Sequence, residues 1–566
     1  MSKYVIGLDF GTNSCRSLIV DVADGKELAS HVFPYPSGRD GVIVNSAEPN
    51  LARQNPADYI AGIEVTIKKS LRKAKSIRSK FSPRDIIGIG VDTTGSSPLP
   101  IDARGQPLCF SKKFRKNPAA MVWLWKDHSG HAEAAHITET ARRIRPQYLA
   151  KIGGVYSSEW WWSKILHCKN TTPDVFDAAH SWAEICDWIP AHLTGSLDPR
   201  KMKRGICSAG HKAMFNPSWN GLPDVEFLET LSPGLGALRS RLYDNTLTAE
   251  HLAGYLSPEW AQRLGLSPHV AVAVGAFDAH MGAVGAGIST GTIVKILGTS
   301  TCDVMIWPHD RPLNDIPGVC GIVDGSVMNG YYGIEAGQSA VGDIFLWFVD
   351  NLVPESYGRT QEQKFKNLEA AAKKLRPGES GLLALDWNNG NRTILVDARL
   401  TGLLVGQTLH TTPPEIYRVL IEATAFGALA IIDRIEEYGV TITDVVNCGG
   451  LTHKNPLLMQ IYADITGRPM KVSRSDQTPA LGAAMFSAVA AGKTSGGYDS
   501  IADAQKAMTG TGKEFQPDAG NHEVYTKLYR LYRQLHDGFG TKQWSGNMAN
   551  VMKDLLSLRD EVRRVR

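Results

Sequence analysis

Cysteine is scarce in these 566 residues, and none of the eight (15, 109, 168, 186, 207, 302, 320 and 448) stands in a C-x-x-C pair or at a metal-ligand spacing. Isolated thiols fit a reducing compartment, and the cytoplasm is the expectation. An excess of charge is missing too: 61 Lys+Arg face 57 Asp+Glu. No basic block forms a stripe suited to a phosphate backbone, which argues against nucleic acid as a partner. No apolar run approaches the roughly 20 residues that span a bilayer, and Asp9 interrupts the N-terminus before a signal core can form, so no membrane partner is expected. His128, His131 and His136 crowd "KDHSGHAEAAH" without an H-E-x-x-H arrangement or a cysteine beside them. They read as solvated helix histidines, not as zinc ligands.

What the chain does hold is a repeated turn. "VIGLDFGTNS" (5–14) runs an apolar strand into an acid, a glycine and small polar residues, and "VKILGTSTCD" (294–303) does nearly the same. The chain is too long for one hydrophobic core, which predicts two large domains, 1–290 and 291–500, and a C-terminal helical extension, 501–566. Strands are predicted at 4–9, 15–21 and 26–35, followed by a helix over "PADYIAGIEVTIKKSLRKAKSI" (56–77) and a buried strand in "IIGIGVD". "VAVAVGAFD" (270–278) reads as one buried strand before a glycine- and alanine-rich helix. Helices are predicted over 338–351, 362–375 and 414–438. The strand "DVVNCGG", the helix "NPLLMQIYADITG", the strand "PMKVSR" and the helix "ALGAAMFSAVAAG" come next. Charged helical patterns near 522–536 and 548–565 read as surface-packed or frayed. The class is α/β with two similar halves. "GTGKEF" (510–515) lacks the first glycine and the final Ser/Thr of a phosphate loop and is rejected as one.

Gly11, Thr12, Asn13 and Ser14 can aim backbone N–H groups and short hydroxyls at a phosphate, and Gly298, Thr299, Ser300 and Thr301 offer the same donors. Two such turns from duplicated halves can grip one polyphosphate from both sides. Asp9, at the strand end, suits a hydrated Mg²⁺. Each turn also fits an ordinary hairpin. Asp278, at a strand end and a helix start, fits a general base and equally a helix N-cap. Consecutive helical residues point about 100° apart, so Trp160, Trp161 and Trp162 cannot all stack on one ligand and read mostly as core or interface.

"IGLDFGTNS", "LGTSTC" and "NCGGLTHKNPLLMQIYADITGRPM" resemble the sugar kinases of the FGGY family, and the likeness runs in order from about residue 4 to 540. The resemblance implies two actin-like (ribonuclease H-like) domains around a central cleft, with ATP and Mg²⁺ as cofactors and a homodimer as a family-level expectation. "GVDTTGSSPLPID", "MVWLWKDH", "RGICSAGHK", "GAFDAHMGAVGAG" and "GIEAGQSAVGDIFLWF" are similar to the branch that phosphorylates L-ribulose and related 2-ketopentoses at the 5-hydroxyl. On that resemblance Asp278 is the base, and Trp125, Lys126, Asp127, Lys212, Glu335, Ser96, Ser97 and Asp278 itself are the sugar-pocket candidates. Asp92 is expected to stabilise its loop or lie near the Mg²⁺. Gly449, Gly450, Asn455 and Gln460 flank the adenosine, and Thr299 lies near the terminal phosphates. "WKDH" departs from the family's more usual acid-then-arginine pair, so the acid's contacts do not carry over from glycerol or xylulose kinases. The alternatives are a kinase for another ketose or polyol, such as D-ribulose or xylulose, and a nucleotide-dependent sensor on the actin/Hsp70 fold with no sugar turnover.

Overall fold

The duplication is visible in the strand order. The computed structural model describes residues 2–564. Its first sheet contains β1 (Tyr4–Phe10), β2 (Ser14–Asp21), β3 (Glu27–Pro34), β4 (Ile86–Thr93), β5 (Leu252–Tyr255), β6 (Ala271–Ala273) and β7 (Ala276–Phe277). They run in the order β3-β2-β1-β4-β6-β5, with β7 pairing to β4. Its second sheet contains β8 (Thr292–Leu297), β9 (Thr301–Pro308), β10 (Gly321–Asp324), β11 (Tyr331–Ala336), β12 (Asp444–Cys448), β13 (Met470–Ser473) and β14 (Thr511–Phe515). Apart from the added edge strand β10, the order β11-β9-β8-β12-β13-β14 repeats the first. In both sheets the first two junctions are antiparallel, the next two parallel and the last antiparallel. Each quoted turn closes the same hairpin, with Phe10 opposite Cys15 and Leu297 opposite Thr301.

The first helix occupies Pro56–Ile77, as predicted, because Asn55 caps Ala57 N–H and Pro56 takes the first turn, where its missing donor costs nothing. The stretch 338–351 becomes helical only at Gly342–Leu352, since the residues before it are spent bracing the second turn. "VAVAVGAFD" is split into two short strands at Gly275, where a Cβ would fall 2.1 Å from the Cys186 carbonyl oxygen. "GTGKEF" contributes the edge strand β14 and no phosphate loop.

The alanine- and glycine-rich helix Thr478–Ala491 falls between β13 and β14 of the second sheet in sequence but lies on the first. A Cβ on Gly7 of β1 would meet Ala480 O at 1.8 Å, and one on Gly90 of β4 would meet Ala483 O at 1.8 Å. The same helix crosses Asp278–Gly285, where a Cβ on Gly482 would fall 1.9 Å from Met281 O. The glycines inside two buried strands are therefore contact residues that let a helix backbone rest on the sheet. One apolar cluster joins Val5, Val20 and Val284 of the first lobe to Val294, Val446 and Phe486 beyond it, tying the lobes together.

Between β4 and β5 a largely helical insertion packs its own core, including Trp123, Trp161, Trp162 and Trp182. After residue 500, Ile501–Met508 packs in the cluster that joins the lobes, and from β14 onward the chain packs with the second lobe. The helix Ala519–Gly540 buries Tyr525, Leu528, Tyr532 and Leu535 in that lobe's core, in place of the frayed surface helix expected there. Among the described residues, no helix is long and apolar enough to cross a membrane.

Candidate active site

Three carboxylates meet where parallel strands of the first sheet end. β1 and β4 place Asp9 directly opposite Asp92. β7 sets Phe277 beside Thr93, so Asp278 follows one residue beyond as the first residue of the helix Asp278–Gly285. Asp92 is fully buried, and neither of its carboxylate oxygens has a hydrogen-bond partner among the described residues. Burial, then the charges of Asp9 and Asp278, push its pKa well above the usual carboxylate range. Asp9 is raised by burial against the opposing pull of Arg16, whose Nη1 lies 3.7 Å from Asp9 Oδ2. Burial and then the Asp9 charge push Asp278 up to about 7. Its Oδ1 accepts from Ala279 N–H at 2.7 Å, and the residue stays open to the cleft. Clustered carboxylates with orphaned oxygens fit a divalent cation.

The turns flank this cluster. Gly11 N–H donates to Ser14 O and Gly298 N–H to Ser300 O, each at 3.0 Å. Among the described residues, the N–H groups of Thr12, Asn13, Thr299 and Ser300 have no partner. The carbonyls are spoken for: Thr12 O accepts from Gln54 Nε2 at 2.7 Å, and Thr299 O from the N–H groups of Val341 and Asp343 at 2.8 and 3.2 Å. Each turn thus presents donors to the cleft while its oxygens are held on the other side, which is the polarity an anion needs. Trp125 Nε1 donates to Thr12 Oγ1 at 3.0 Å, linking this sugar-pocket candidate to the first turn. Lys126 is exposed, and its charge reaches Asp343 at the start of Gly342–Leu352.

On the cleft floor Lys212 Nζ donates to Glu335 Oε1 at 2.8 Å. Lys212 comes from the first lobe and Glu335 from β11 of the second. Burial is the largest single influence and opposes both charges, but the surrounding groups together outweigh it: Glu335 and Cys320 leave Lys212 above its ordinary value, and Lys212, His211 and His280 leave Glu335 well below the carboxylate range. The Lys212 ammonium also lies 5.3 Å from the Trp160 ring centroid and 5.9 Å from that of Phe277. Trp161 and Trp162 are plain core.

Other candidates are engaged elsewhere. Asp127 is fully enclosed, accepting from Arg53 Nη1, from Ala52 N–H at 2.7 Å and from Ser129 Oγ at 2.5 Å. Ser96 donates its hydroxyl to Glu184, and Ser97 pairs with Thr94 Oγ1 at 3.1 Å and gives its N–H to Glu184 Oε2 at 2.6 Å. Lys164 Nζ clamps the carbonyls of Ser96 and Leu124 at 2.7 Å each. These residues shape the loops around the cleft without turning free groups into it. Gly449 has φ +98, and a Cβ there would meet Leu297 O at 2.4 Å, so glycine is required. Gly450 opens onto free space. Asn455 caps the following helix through Leu458 N–H at 2.9 Å and reaches Tyr417 OH at 3.1 Å. Gln460 is tied to Asp464 and the Gln516 carbonyl, both at 2.8 Å, with no bond toward the glycine turn.

The sequence reading passed over Arg16, two residues beyond the first turn, and Arg392, which meets Glu159 across the cleft at 3.5 Å. It also passed over His211 and His280, which flank Glu335. Arg16 and His280 each stand two residues from a singled-out position and His211 stands next to Lys212, whereas Arg392 carries no comparable spacing signal.

Residues 4–285 match the model of the FGGY family of carbohydrate kinases, N-terminal domain, and residues 293–491 match that of its C-terminal domain. The ribulokinase of Shouchella clausii is 43% identical over 574 residues, covering 100% of this chain and 99% of that one. The ribulokinase of Geobacillus thermodenitrificans is 44% identical over 549 residues, covering 95% of each. Among solved structures, gluconate kinase from Lactobacillus acidophilus superposes with a TM-score of 0.76 at 18% identity, over 96% of this chain and 99% of that one. Plasmodium falciparum glycerol kinase with ADP superposes at 0.74 and 15%, over 94% and 98%. At these identities the solved structures speak for the fold.

Proposed function

This chain belongs to the FGGY family of carbohydrate kinases, and from that premise we propose that it transfers the γ-phosphoryl group of ATP to the 5-hydroxyl of L-ribulose. The end-to-end likeness to ribulokinases carries the substrate assignment. The product is L-ribulose 5-phosphate, a step in the use of L-arabinose, and related 2-ketopentoses are expected as weaker substrates.

Phosphoryl transfer asks for alignment and charge neutralisation more than for covalent chemistry. The free N–H groups of Thr12, Asn13, Thr299 and Ser300 meet the phosphates from both lobes, and Arg16 adds a cation beside the first turn. Asp9 and Asp92 would hold Mg²⁺, which fits the two orphaned oxygens of Asp92 and would offset charge on the phosphates. Asp278 takes the proton of the attacking hydroxyl. Its pKa, raised to about 7, matches that task at neutral pH. Lys212 and Glu335 hold the sugar's other hydroxyls at the seam between lobes, and closure excludes the water that would otherwise be phosphorylated. Gly449 and Gly450 give the adenosine a surface without side chains. A homodimer is part of the proposal on family grounds.

The test is ATP consumption with Mg²⁺ and L-ribulose, D-ribulose, L-xylulose, D-xylulose and glycerol in parallel. The highest kcat/KM is expected on L-ribulose. A preference for D-xylulose or glycerol would move the chain to another branch, and ATP binding without sugar-dependent turnover would remove the kinase reading.

A further inference from the structure

Glu335 has a second oxygen that Lys212 does not use. While Oε1 accepts from Lys212, Oε2 has no hydrogen-bond partner, although it is buried. Two imidazoles face it. His211 Nδ1 lies 3.4 Å away and His280 Nε2 3.7 Å away. Donor atoms of the three residues all lie within 4.8 Å of one another. His211 Nδ1 is also unpartnered, as are both ring nitrogens of His280. Four polar atoms in one buried spot each carry a desolvation cost when unmatched, and one shared occupant would relieve it.

The hydrogen bonding fixes what kind of occupant fits. Ser326 Oγ donates to the Val323 carbonyl at 3.1 Å, so its proton is used. It also lies 3.0 Å from His211 Nε2, and in the tautomer that matches this arrangement Nε2 carries the hydrogen and donates to it. His211 then presents a bare lone pair at Nδ1 toward the lone pairs of Glu335 Oε2. Such a pairing is repulsive unless a cation lies between them. A ring nitrogen fixed by an outer hydrogen bond, with its other nitrogen free, is how proteins present histidine to a metal. Two ligands bound about 2.0–2.2 Å from one ion at a tetrahedral angle stand about 3.4 Å apart, close to both distances to Glu335. The space in front of Nδ1 is kept clear by glycine: a Cβ on Gly321 would fall 2.1 Å from that atom.

We propose that His211, His280 and Glu335 form a binding site for a divalent transition ion of the zinc class, distinct from the Mg²⁺ position at Asp9 and Asp92. Imidazole with one carboxylate suits zinc and its neighbours, whereas Mg²⁺ takes oxygen donors. His211 and His280 belong to the first lobe, on the helices Ile206–Lys212 and Asp278–Gly285, and Glu335 to β11 of the second. An ion bound by all three fastens the lobes at the cleft floor, beside the Lys212–Glu335 pair. The site depends on its own three side chains and stands or falls independently of the sugar assignment.

The experiment uses the full chain, stripped by chelator and titrated with Co²⁺ in excess Mg²⁺, which occupies the Asp9 and Asp92 cluster. One equivalent of cobalt is expected, with visible d–d bands of nitrogen and oxygen ligation and no thiolate charge-transfer band. The melting temperature should rise with Co²⁺ or Zn²⁺ and not with further Mg²⁺. His280→Ala and His211→Ala should each weaken cobalt binding at least about tenfold. If either variant fails to fold, X-ray absorption on the cobalt-loaded wild type decides, two imidazoles and one carboxylate being the expected shell. Absence of binding in excess Mg²⁺, thiolate ligation, or undiminished affinity in His280→Ala overturns the proposal.

Discussion

Lys212 and Glu335 form a buried ion pair across the seam between the lobes, with side chains 6% and 8% exposed. A pair this enclosed is costly to break from one side, because the survivor keeps its charge without a partner. Lys212→Met is expected to lower stability by about 3–5 kcal/mol and kcat/KM for the sugar by about a hundredfold or more, equivalent to about 2.7 kcal/mol. The double variant Lys212→Met/Glu335→Gln should recover stability while remaining inactive. Denaturant titration and steady-state kinetics on the three proteins separate the two effects.

The rate should depend on the protonation of Asp278. Burial and the Asp9 charge raise its pKa to about 7, so the proton-accepting form gains ground as pH rises through that value. kcat/KM, which reports the free enzyme, should climb by a one-proton limb and level off above about 7. Asp278→Asn should lose the limb and about 10²–10⁴ in kcat. Stability runs the opposite way. Because the folded value lies above the unfolded one, near 3.8, this group's contribution is fully present below about 3.8 and is lost as pH rises through about 7. The asparagine variant should therefore gain thermal stability over the wild type at pH 8 and not at pH 4.

Much of the frame was legible in the chain because strand alternation, helix caps and turn residues are local signals. Both hairpins and the Pro56–Ile77 helix were found from them. The meaning of "IGLDF" and "IIGIGVD" was only half legible. Their glycines, Gly7 and Gly90, answer to Ala480 and Ala483 of one helix far along the chain, and no local pattern announces that contact. The site shows the same division. Asp278 and the turns sit at strand ends, where sequence reasoning looks first. The engagement of Asp127 by Arg53 and the meeting of His211, His280 and Glu335 depend on tertiary closure. The histidines that drew attention, 128, 131 and 136, do not form a cluster of ligands.

Asp92 should separate ion binding from folding. Neither of its oxygens has a hydrogen-bond partner among the described residues, and Asp9 stands opposite it. Asp92→Asn removes an ionisable group that burial and the Asp9 charge disfavour in its charged form, so the apo protein should melt at a higher temperature at neutral pH. The same change takes away a ligand, and the Mg²⁺ concentration for half-maximal activity should rise at least about tenfold. A variant that is less stable and unchanged in Mg²⁺ dependence would make Asp92 a structural acid.

Two glycines give the sharpest contrast between fold and function. At Gly90 a methyl group would land 1.8 Å from the Ala483 carbonyl, inside the contact between β4 and Thr478–Ala491. Gly90→Ala must push a helix off its sheet and should cost about 1–3 kcal/mol or more, seen as a lower melting temperature. At Gly450 nothing lies within 4 Å of where the methyl would go, and the residue opens the helix Gly450–Lys454. Gly450→Ala should leave stability within about 0.5 kcal/mol of the wild type, as surface changes do. Its effect should fall on the nucleotide. If adenosine lies flat against this turn, the methyl intrudes where the backbone was bare, and KM for ATP should rise about tenfold with KM for the sugar unchanged. An unchanged KM for ATP would mean that the nucleotide rests elsewhere on the second lobe, and that the glycine pair serves only the tight passage of Gly449 past Leu297.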